Sequence, residues 1–308
     1  MKFIFEPLVY LMTKQQCDDK EIERFLADEN ITNWSTDATS SAEKTVEMGG
    51  RICYMSFSKP RPGGNSEYIK HIKEVGHGSV TEHTSWTFII TGVSRSLTHE
   101  LVRHRVGTSF SQLSQRYVDE EDCNMVVPPE LQKEVKRYLE SKKLLSHQID
   151  KSLLDDPAWN NGRYWFLAVH NALWEYKKMT EYLFNKLVPQ SYLELRLGEC
   201  GSINLSIEDM MKKLPFEKRT ELRKRARQTA RSLLPNATES KIVVTFNARS
   251  LRNFLELRAN IHAESEIRVL ADKIYDIIVK ESPSLFNDYI KKHLEDGSYE
   301  LETEYRKI

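Results

Sequence analysis

The stretch TSWTFIITGVSRSLTHELVRHR, residues 84–105, decides the fold class because its hydrophobic pattern changes period within a few residues. The first ten residues alternate around Trp86 and Phe88 and are rich in β-branched and aromatic side chains, which predicts a β-strand. The residues that follow place Leu97 and Leu101 four positions apart, which predicts a short helix whose last turn carries the basic triplet RHR. One strand that passes directly into one helix indicates a protein that mixes both kinds of element.

Helical patterns surround this stretch in both directions, so we expect a helix-rich α+β fold. On the N-terminal side we predict a serine-capped helix running toward Cys53, a loop rich in Pro and Gly, and a helix capped by Asn65 or Ser66 that ends at Gly76. On the C-terminal side, apolar residues recur at three and four positions along several segments. These helical segments are 129–149, 162–188, 216–234 and 247–281, and the strand SKIVVTF at 240–246 precedes the last of them.

We predict a single domain over residues 1–308, because no linker rich in Pro, Gly or Ser divides the chain. Segment 189–215 interrupts the helical patterns, and we interpret it as an inserted loop that holds one short helix at most. A hydrophobic content of 40% excludes an intrinsically disordered chain.

The charge balance limits the classes of partner. Lys plus Arg and Asp plus Glu both total 45, so the formal net charge is zero, and any basic binding site must be local. The longest nearly uncharged stretch, 83–94, is too short to span a bilayer, so we predict no membrane association. Glu6 and Pro7 interrupt the apolar N-terminus, which disfavours a signal peptide and predicts a cytoplasmic protein. The four cysteines lie dozens of residues apart, which predicts reduced thiols and no zinc site; they are Cys17, Cys53, Cys123 and Cys200.

The densest polar cluster is RHRVGTSFSQLSQRYVDE, residues 103–120. Its basic triplet could simply offset the negative end of a helix dipole. The hydroxyl and amide side chains that follow supply the donors and acceptors that a phosphate and a planar base both need. We therefore interpret this cluster as a candidate nucleotide site.

A second cluster, NARSLRNFLELRANIHAE, covers residues 247–264. Phe254, Arg258 and His262 are spaced at i, i+4 and i+8, which predicts that they share one helical face. Arg258 could lie at the rim of the core with only its stem buried. The functional alternative is a guanidinium that points into a pocket.

A third cluster is the basic stretch 223–231, RKRARQTAR, in which Arg223, Arg227 and Arg231 form one helical stripe. A solvated helix face, an RNA-binding surface and a phosphate site are all open interpretations of this stripe.

The fourth cluster, GHGSVTEHTS at 76–85, places its acid beside the second histidine, so it does not match the zinc motif H-E-x-x-H. The chain also has no glycine-rich phosphate loop of the common kinds. We therefore expect no metal, and a nucleotide cofactor would be held by side chains and irregular loops.

The order RHR, an eight-residue spacer from Val106 to Leu113, and then SQRY resembles the signature of the flavin-dependent thymidylate synthases. GHGSVTEH, ARSLLP and NARSLRNFLELRANIHAESEI resemble other blocks of that family in the right order, and together the resemblance covers roughly residues 40–120 and 220–290. It implies a single catalytic domain with a central, mostly antiparallel sheet, distinct from a Rossmann fold. It also implies a homotetramer with active sites shared between subunits.

The resemblance further implies that deoxyuridylate (dUMP) is methylated to thymidylate (dTMP), with 5,10-methylenetetrahydrofolate as carbon donor, NADPH as reductant and FAD as electron carrier. The implied flavin contacts are His77, Ser79, Arg103, His104, Arg105, Gln112, Asn247, Arg249, Asn253 and His262. The implied dUMP contacts are Glu100, Arg103, Gln112, Leu113, Ser114, Gln115, Arg116, Arg231 and Arg258. Two positions differ from some family members, which have glutamine in place of Glu100 and glutamate in place of Gln112.

The chemistry of methylation assigns the catalytic role to Arg258. Methylating C5 of uracil requires negative charge to be stabilised over the ring carbonyls and N3, and a guanidinium carries a permanent charge on a planar fork. A covalent adduct at C6 would need a thiolate or an activated serine, but no cysteine lies in the four clusters and Ser114 has no evident base beside it in sequence. We therefore assign Ser114 to binding.

Two rival functions belong to other classes. An RNA-binding protein using 223–231 would lose its binding at high salt and carry no chromophore. An unrelated flavin oxidoreductase would be yellow but indifferent to dUMP.

Overall fold

A computed structural model of the protein describes residues 2–142, 162–195 and 205–306. The chain divides into two compact units, and each is described by itself. The first unit comprises 1–5, 94–96 and 113–240, and the second comprises 6–93, 97–112 and 241–308. A single catalytic domain over 1–308 stays a prediction. No helix among the described residues is both long enough and apolar enough to cross a membrane.

The second unit is built on a four-stranded sheet with strand order β2-β3-β6-β4. Its strands are β2 (Leu8–Lys14), β3 (Ser85–Ser94), β4 (Thr108–Gln112) and β6 (Glu239–Asn247). Antiparallel pairing joins β2 to β3 and β4 to β6. The predicted strands at 84–93 and 240–246 are confirmed as β3 and β6, and so is the α+β class with an antiparallel sheet.

Helices cover one face of this sheet and bury its apolar side chains. They are α2 (Ser41–Tyr54), α3 (Gly64–Glu74), α4 (Arg95–Leu101), α9 (Ala248–Arg258), α10 (Ser265–Glu281) and α11 (Pro283–Phe286), with a 3₁₀-helix at Gly78–His83 and a hairpin of β7 (Ile290–His293) and β8 (Tyr299–Glu302). Helix α1 (Asp19–Asp28) belongs to the same unit but has no buried residue. Trp86, Phe88 and Ile90 on β3 are buried together with Phe246 on β6 and Phe254 on α9. The alternating apolar residues that predicted β3 are therefore its core-facing side.

The capping prediction for α3 is wrong. The helix begins at Gly64 after Gly63, which has φ +91° and offers no side-chain cap. The backbone N–H of Asn65 instead donates to the carboxylate of Asp37 at 2.7 Å. At the other end, Gly76 has φ +72°, as a left-handed C-terminal residue requires, so the predicted stop is confirmed.

The first unit is mainly helical and contains two apolar clusters. Its elements are the parallel pair β1 (Phe3–Ile4) and β5 (Met125–Val126), the helices α5 (Pro129–Lys142), α6 (Gly162–Glu194), α7 (Ile207–Lys213) and α8 (Phe216–Ala230), and a 3₁₀-helix at Arg231–Leu233. One cluster gathers around Phe166 and Tyr176, and the other around Tyr192 and Leu222.

The prediction of an irregular loop from residue 189 is wrong in part. Helix α6 continues through Pro189 to Glu194, and α7 supplies the short helix expected before residue 215. Part of segment 189–215, residues 196–204, lies outside the described residues, as do residues 143–149 of the predicted helix 129–149.

Candidate active site

The basic triplet RHR lies in the turn between α4 and β4. Helix α4 ends at Leu101, so the prediction that the triplet occupies a helical last turn is wrong. The backbone N–H of His104 donates to Leu101 O at 3.2 Å, and the Thr108 hydroxyl donates to His104 O. This turn leaves Arg103 and Arg105 exposed and directs His104 inward.

His104 is held as a neutral hydrogen-bond acceptor. Its ring packs edge-on against Phe254 with centroids 5.3 Å apart, and its Nε2 accepts from Arg258 Nε at 2.9 Å. Burial, reinforced by the charge of Arg258, lowers the pKa of His104 from 6.5 to about 4. Because Nε2 accepts, the ring proton of neutral His104 is assigned to Nδ1.

Arg258 is the last residue of α9, and its side chain is 23% exposed. Besides its bond to His104, it donates from Nη1 to Glu100 Oε2 at 2.6 Å. No partner of Arg258 Nη2 is found among the described residues. Two of the three guanidinium nitrogens are thus fixed, and the third is free to donate to a ligand.

His262 does not share a helical face with Arg258. Helix α9 ends at Arg258, and His262 lies exposed in the following turn, where its backbone N–H donates to Asn260 Oδ1. The predicted spacing i, i+4, i+8 is therefore correct for Phe254 and Arg258 and wrong for His262.

The start of α9 packs against the start of β4. The Asn247 side chain caps α9 by accepting from Ser250 N at 2.8 Å, and Gly107 O accepts from both Asn247 N and Ser250 Oγ at 2.9 Å. Gly107 has φ +67°, and a side chain there would collide with Asn247. This close approach brings the triplet turn and the N-terminus of α9 together.

The remaining predicted flavin residues belong to the same unit. Arg249 pairs with Glu82 of the 3₁₀-helix at 2.5 Å, and His77, just before that helix, stacks on Tyr54 with centroids 6.0 Å apart. Ser79 lies in the 3₁₀-helix and Asn253 on α9, both exposed. Gln112, at the end of β4, donates to Thr98 Oγ1 at 2.7 Å. Glu82 is the acid of the fourth cluster, whereas Tyr54 and Thr98 were not singled out in the sequence, since no motif sets them apart.

These residues fit a flavin dinucleotide. Such a cofactor offers phosphate oxygens, hydroxyls and ring carbonyls, which call for cationic and amide donors. The side chains of Arg103, Arg105 and Asn253 are exposed and have no hydrogen-bond or ion-pair partner among the residues that the structure describes. Their donors are free for those groups.

The predicted dUMP residues divide between the units: Glu100, Arg103, Gln112 and Arg258 belong to the second, and Leu113, Ser114, Gln115, Arg116 and Arg231 to the first. Within the first unit, residues 114–118 form a turn in which Tyr117 N and Val118 N donate to Ser114 O at 3.2 and 3.1 Å. Arg116 Nε is buried without a hydrogen-bond partner there.

The basic stripe 223–231 contains arginines in two kinds of environment. Arg223 and Arg231 are exposed, but Arg227 is 17% exposed and binds Tyr117 O and Asp119. Arg95, which sequence reasoning missed, donates to Leu113 O at 3.4 Å. Burial lowers the pKa of Arg95, Glu120 opposes this shift, and the positive charge of Arg231 adds to it. The stripe is therefore not a uniformly solvated face, because Arg227 is engaged by the protein while Arg223 and Arg231 are exposed.

Comparison with known proteins shows the family of this chain. The family model described as "Thymidylate synthase complementing protein" matches residues 36–284. The flavin-dependent thymidylate synthase of Mycolicibacterium gilvum is 40% identical over 267 residues, 86% of each chain, and that of Corynebacterium diphtheriae is 39% identical over 271 residues, also 86% of each.

A solved structure shares the fold. The UMP/dUMP methylase PolB of Streptomyces cacaoi, bound with 5-Br dUMP, superposes with a TM-score of 0.56 at 19% identity, covering 93% of this chain and 96% of its own. The fold, the matched family model and the identity to the two relatives lead to one conclusion: this chain belongs to the family of flavin-dependent thymidylate synthases.

Proposed function

We propose that this chain converts dUMP to dTMP by reductive methylation, with 5,10-methylenetetrahydrofolate as carbon donor, NADPH as reductant and FAD as the bound cofactor. The observation that carries the proposal is the geometry of Arg258, whose guanidinium is held at two nitrogens and open at the third.

Arg258 would activate the uracil ring electrostatically. Its Nε and Nη1 are occupied by His104 and Glu100, so the guanidinium plane is fixed before substrate binds. The free Nη2 donors would then meet a ring carbonyl, where negative charge develops during attack from C5. A donor that is already oriented needs no reorganisation free energy during the reaction, and a fixed arginine is effective for this reason.

His104 would contribute as an acceptor and not as an acid. A protonated imidazole would place a second positive charge against Arg258 and lose the lone pair that accepts from Nε. Because the pKa of His104 is about 4, the ring is neutral at physiological pH and the contact persists. Glu100 would hold the other side of the guanidinium.

FAD, when bound, would supply the hydride chemistry that side chains cannot perform. The residues proposed to hold it are the ten flavin positions named above, all in the second unit. Arg103 and Arg105 would donate to its phosphates, and Asn247 and Asn253 offer amide groups. The substrate phosphate would bind Ser114, Arg116 and Arg231, and the buried Nε of Arg116 has no hydrogen-bond partner among the described residues.

We further propose a homotetramer with active sites shared between subunits, in the cytoplasm. Leu8, Tyr10 and Met12 on β2, the edge strand of the sheet, are each more than half exposed. Apolar side chains grouped on a surface are typical of protein contacts. Light scattering of the purified protein would give the subunit number.

The decisive experiment is a visible spectrum followed by an assay. The purified chain reconstituted with FAD should retain flavin absorbance, oxidise NADPH, and form dTMP only when dUMP and methylenetetrahydrofolate are both present. A colourless protein with no flavin-dependent NADPH oxidation would reject the proposal. A yellow protein that ignores dUMP would support the unrelated oxidoreductase instead.

A further inference from the structure

We infer that Arg227 is a positioning residue for substrate binding: it fixes the turn 114–118 against helix α8 and so sets the arrangement of Ser114, Arg116 and Arg231. The inference rests on the proposed function, since it concerns the groups proposed to bind the substrate phosphate.

Arg227 holds two points of the segment that follows the turn. Its Nη1 donates to the backbone carbonyl of Tyr117 at 2.9 Å, and its Nη2 donates to Asp119 Oδ2 at 2.5 Å. The side chain of Arg227 is 17% exposed, whereas that of Asp119 is 41% exposed. A planar guanidinium that donates to a carbonyl and a carboxylate at once fixes both the distance and the orientation of the segment relative to α8. A lysine ammonium cannot fix the orientation in this way.

Helix α6 holds the same segment from another side. The hydroxyl of Tyr176 lies 3.5 Å from Asp119 Oδ1 and accepts from Glu120 N at 3.4 Å. Tyr176 is fully buried, and burial raises its pKa to about 12, so the hydroxyl keeps its proton and donates to the carboxylate. Asp119 thus lies between a donor from α6 and a donor from α8.

Fixing Tyr117 fixes the substrate-binding turn. The backbone N–H groups of Tyr117 and Val118 close the turn on Ser114 O, and Arg116 N donates to Ser114 Oγ at 3.4 Å. Arg231, the residue that follows the end of α8, lies four residues after Arg227, about one helical turn. Arg227 therefore connects the two groups of proposed phosphate ligands through two hydrogen bonds.

A purely structural ion pair is the competing explanation. Partly exposed pairs of this kind contribute little to folding stability. A positioning role predicts something different, namely a loss of affinity that depends on the phosphate of the ligand.

The test compares Arg227→Ala and Arg227→Lys with Arg223→Ala in the FAD-loaded protein. Arg223 lies one turn earlier on the same helix, is exposed, and has no recorded partner among the described residues. Calorimetric titration with dUMP should show a dissociation constant about 10- to 100-fold higher for Arg227→Ala, an intermediate value for Arg227→Lys, and a change of about twofold or less for Arg223→Ala. Deoxyuridine, which lacks the phosphate, should bind all three variants and the wild type alike.

Asp119→Asn provides a second, nearly isosteric variant in case Arg227→Ala does not fold. If Arg227 acts through Asp119, the effects of Asp119→Asn and Arg227→Lys on dUMP affinity should be non-additive in the double variant. Equal dUMP affinities of Arg227→Ala and Arg223→Ala, or an equal loss for deoxyuridine, would overturn the inference. A wild-type protein that does not bind dUMP would instead overturn the proposed function.

Discussion

Helix α9 carries two inward arginines, six residues apart, that occupy opposite kinds of environment. Arg252 is 1% exposed and forms a bidentate pair with Asp288 at 2.7 and 2.8 Å, with a further bond to Leu285 O. Arg258 is 23% exposed, is held by Glu100 and His104, and keeps Nη2 open. The comparison separates an arginine that completes the core from one that is prepared for a ligand.

Both terminal nitrogens of the structural arginine are occupied by protein acceptors, although its buried Nε has no hydrogen-bond partner. Asp288 also accepts from Lys73 at 2.8 Å and from the Thr303 hydroxyl, so its carboxylate is surrounded by donors. Burial alone would raise the pKa of Asp288, but its bonds with Arg252 and Lys73 lower it well below its usual range. Two cations therefore share one buried carboxylate, and both Nη groups of Arg252 are used within the protein.

The first and largest expected effect is on stability, at Arg252. Arg252→Met would leave Asp288 buried with Lys73 as its only cation, and breaking a buried pair costs about 3–5 kcal/mol of unfolding free energy. Urea denaturation of the apoprotein measures this. Arg249→Met is the matched control, because its pair with Glu82 is 44% and 41% exposed and should be worth about 1 kcal/mol or less. Similar losses in both variants would remove the distinction between the two classes of pair.

The second expected effect is on chemistry, at Arg258. Arg258→Lys keeps the charge but loses the planar fork, so dTMP formation should fall about 10²–10³-fold while the free energy of unfolding changes little. Flavin absorbance and flavin-dependent NADPH oxidation in the same variant serve as internal controls and should largely survive. Near-normal dTMP formation, or joint loss of flavin and fold, would make Arg258 a structural residue like Arg252.

Part of this contrast could be predicted from sequence. The apolar stripe on α9 correctly predicted that Arg258 points inward. It could not predict the hydrogen-bond partners of Arg258, because Glu100 and His104 lie more than 150 positions away along the chain. His262 was misplaced for a related reason. Ala259 O accepts from Leu301 N at 2.8 Å, so a strand distant in sequence ends the helix where no Gly or Pro does.

Strand β4 was harder to predict from the sequence than β3, because it carries few apolar residues. In β4 the core-facing residues are Thr108, Phe110 and Gln112, with two exposed serines between them, so only one residue is apolar. Its strand conformation comes from pairing with the β-branched residues of β6. Local alternation detects buried strands and misses those that long-range pairing stabilises.

The third prediction extends the comparison to α8. Arg231→Ala should weaken dUMP binding by about 1.5–3 kcal/mol, the contribution of a charge-assisted hydrogen bond, whereas Arg223→Ala should have little effect. Both side chains are exposed and lie on one stripe, so they differ mainly in the neighbours of Arg231. Titration with dUMP measures both affinities. Equal small losses would mean that the stripe, apart from Arg227, is simply solvated.

The smallest expected effect concerns His104, whose neutral form the Arg258 contact requires. Burial and the neighbouring guanidinium lower its pKa from 6.5 to about 4. Between pH 6.5 and pH 4 His104 is protonated in the unfolded chain but neutral in the folded chain. The free energy of unfolding therefore decreases as the pH falls through this range. Stability is therefore unaffected above about pH 7, declines from there toward pH 4, and becomes level below it.

His104→Gln sharpens this prediction because an amide oxygen still accepts from Arg258 Nε but does not titrate. Between pH 7 and pH 5 the wild type should lose about 1 kcal/mol more unfolding free energy than the variant, a figure reduced from the full pKa shift because the ring is only partly buried. His99→Gln, on the exposed face of α4, is the matched control. Urea denaturation at both pH values gives the difference. If His104→Gln and His99→Gln show the same pH dependence, His104 titrates as an ordinary surface histidine, and Arg258 is not held by a neutral acceptor.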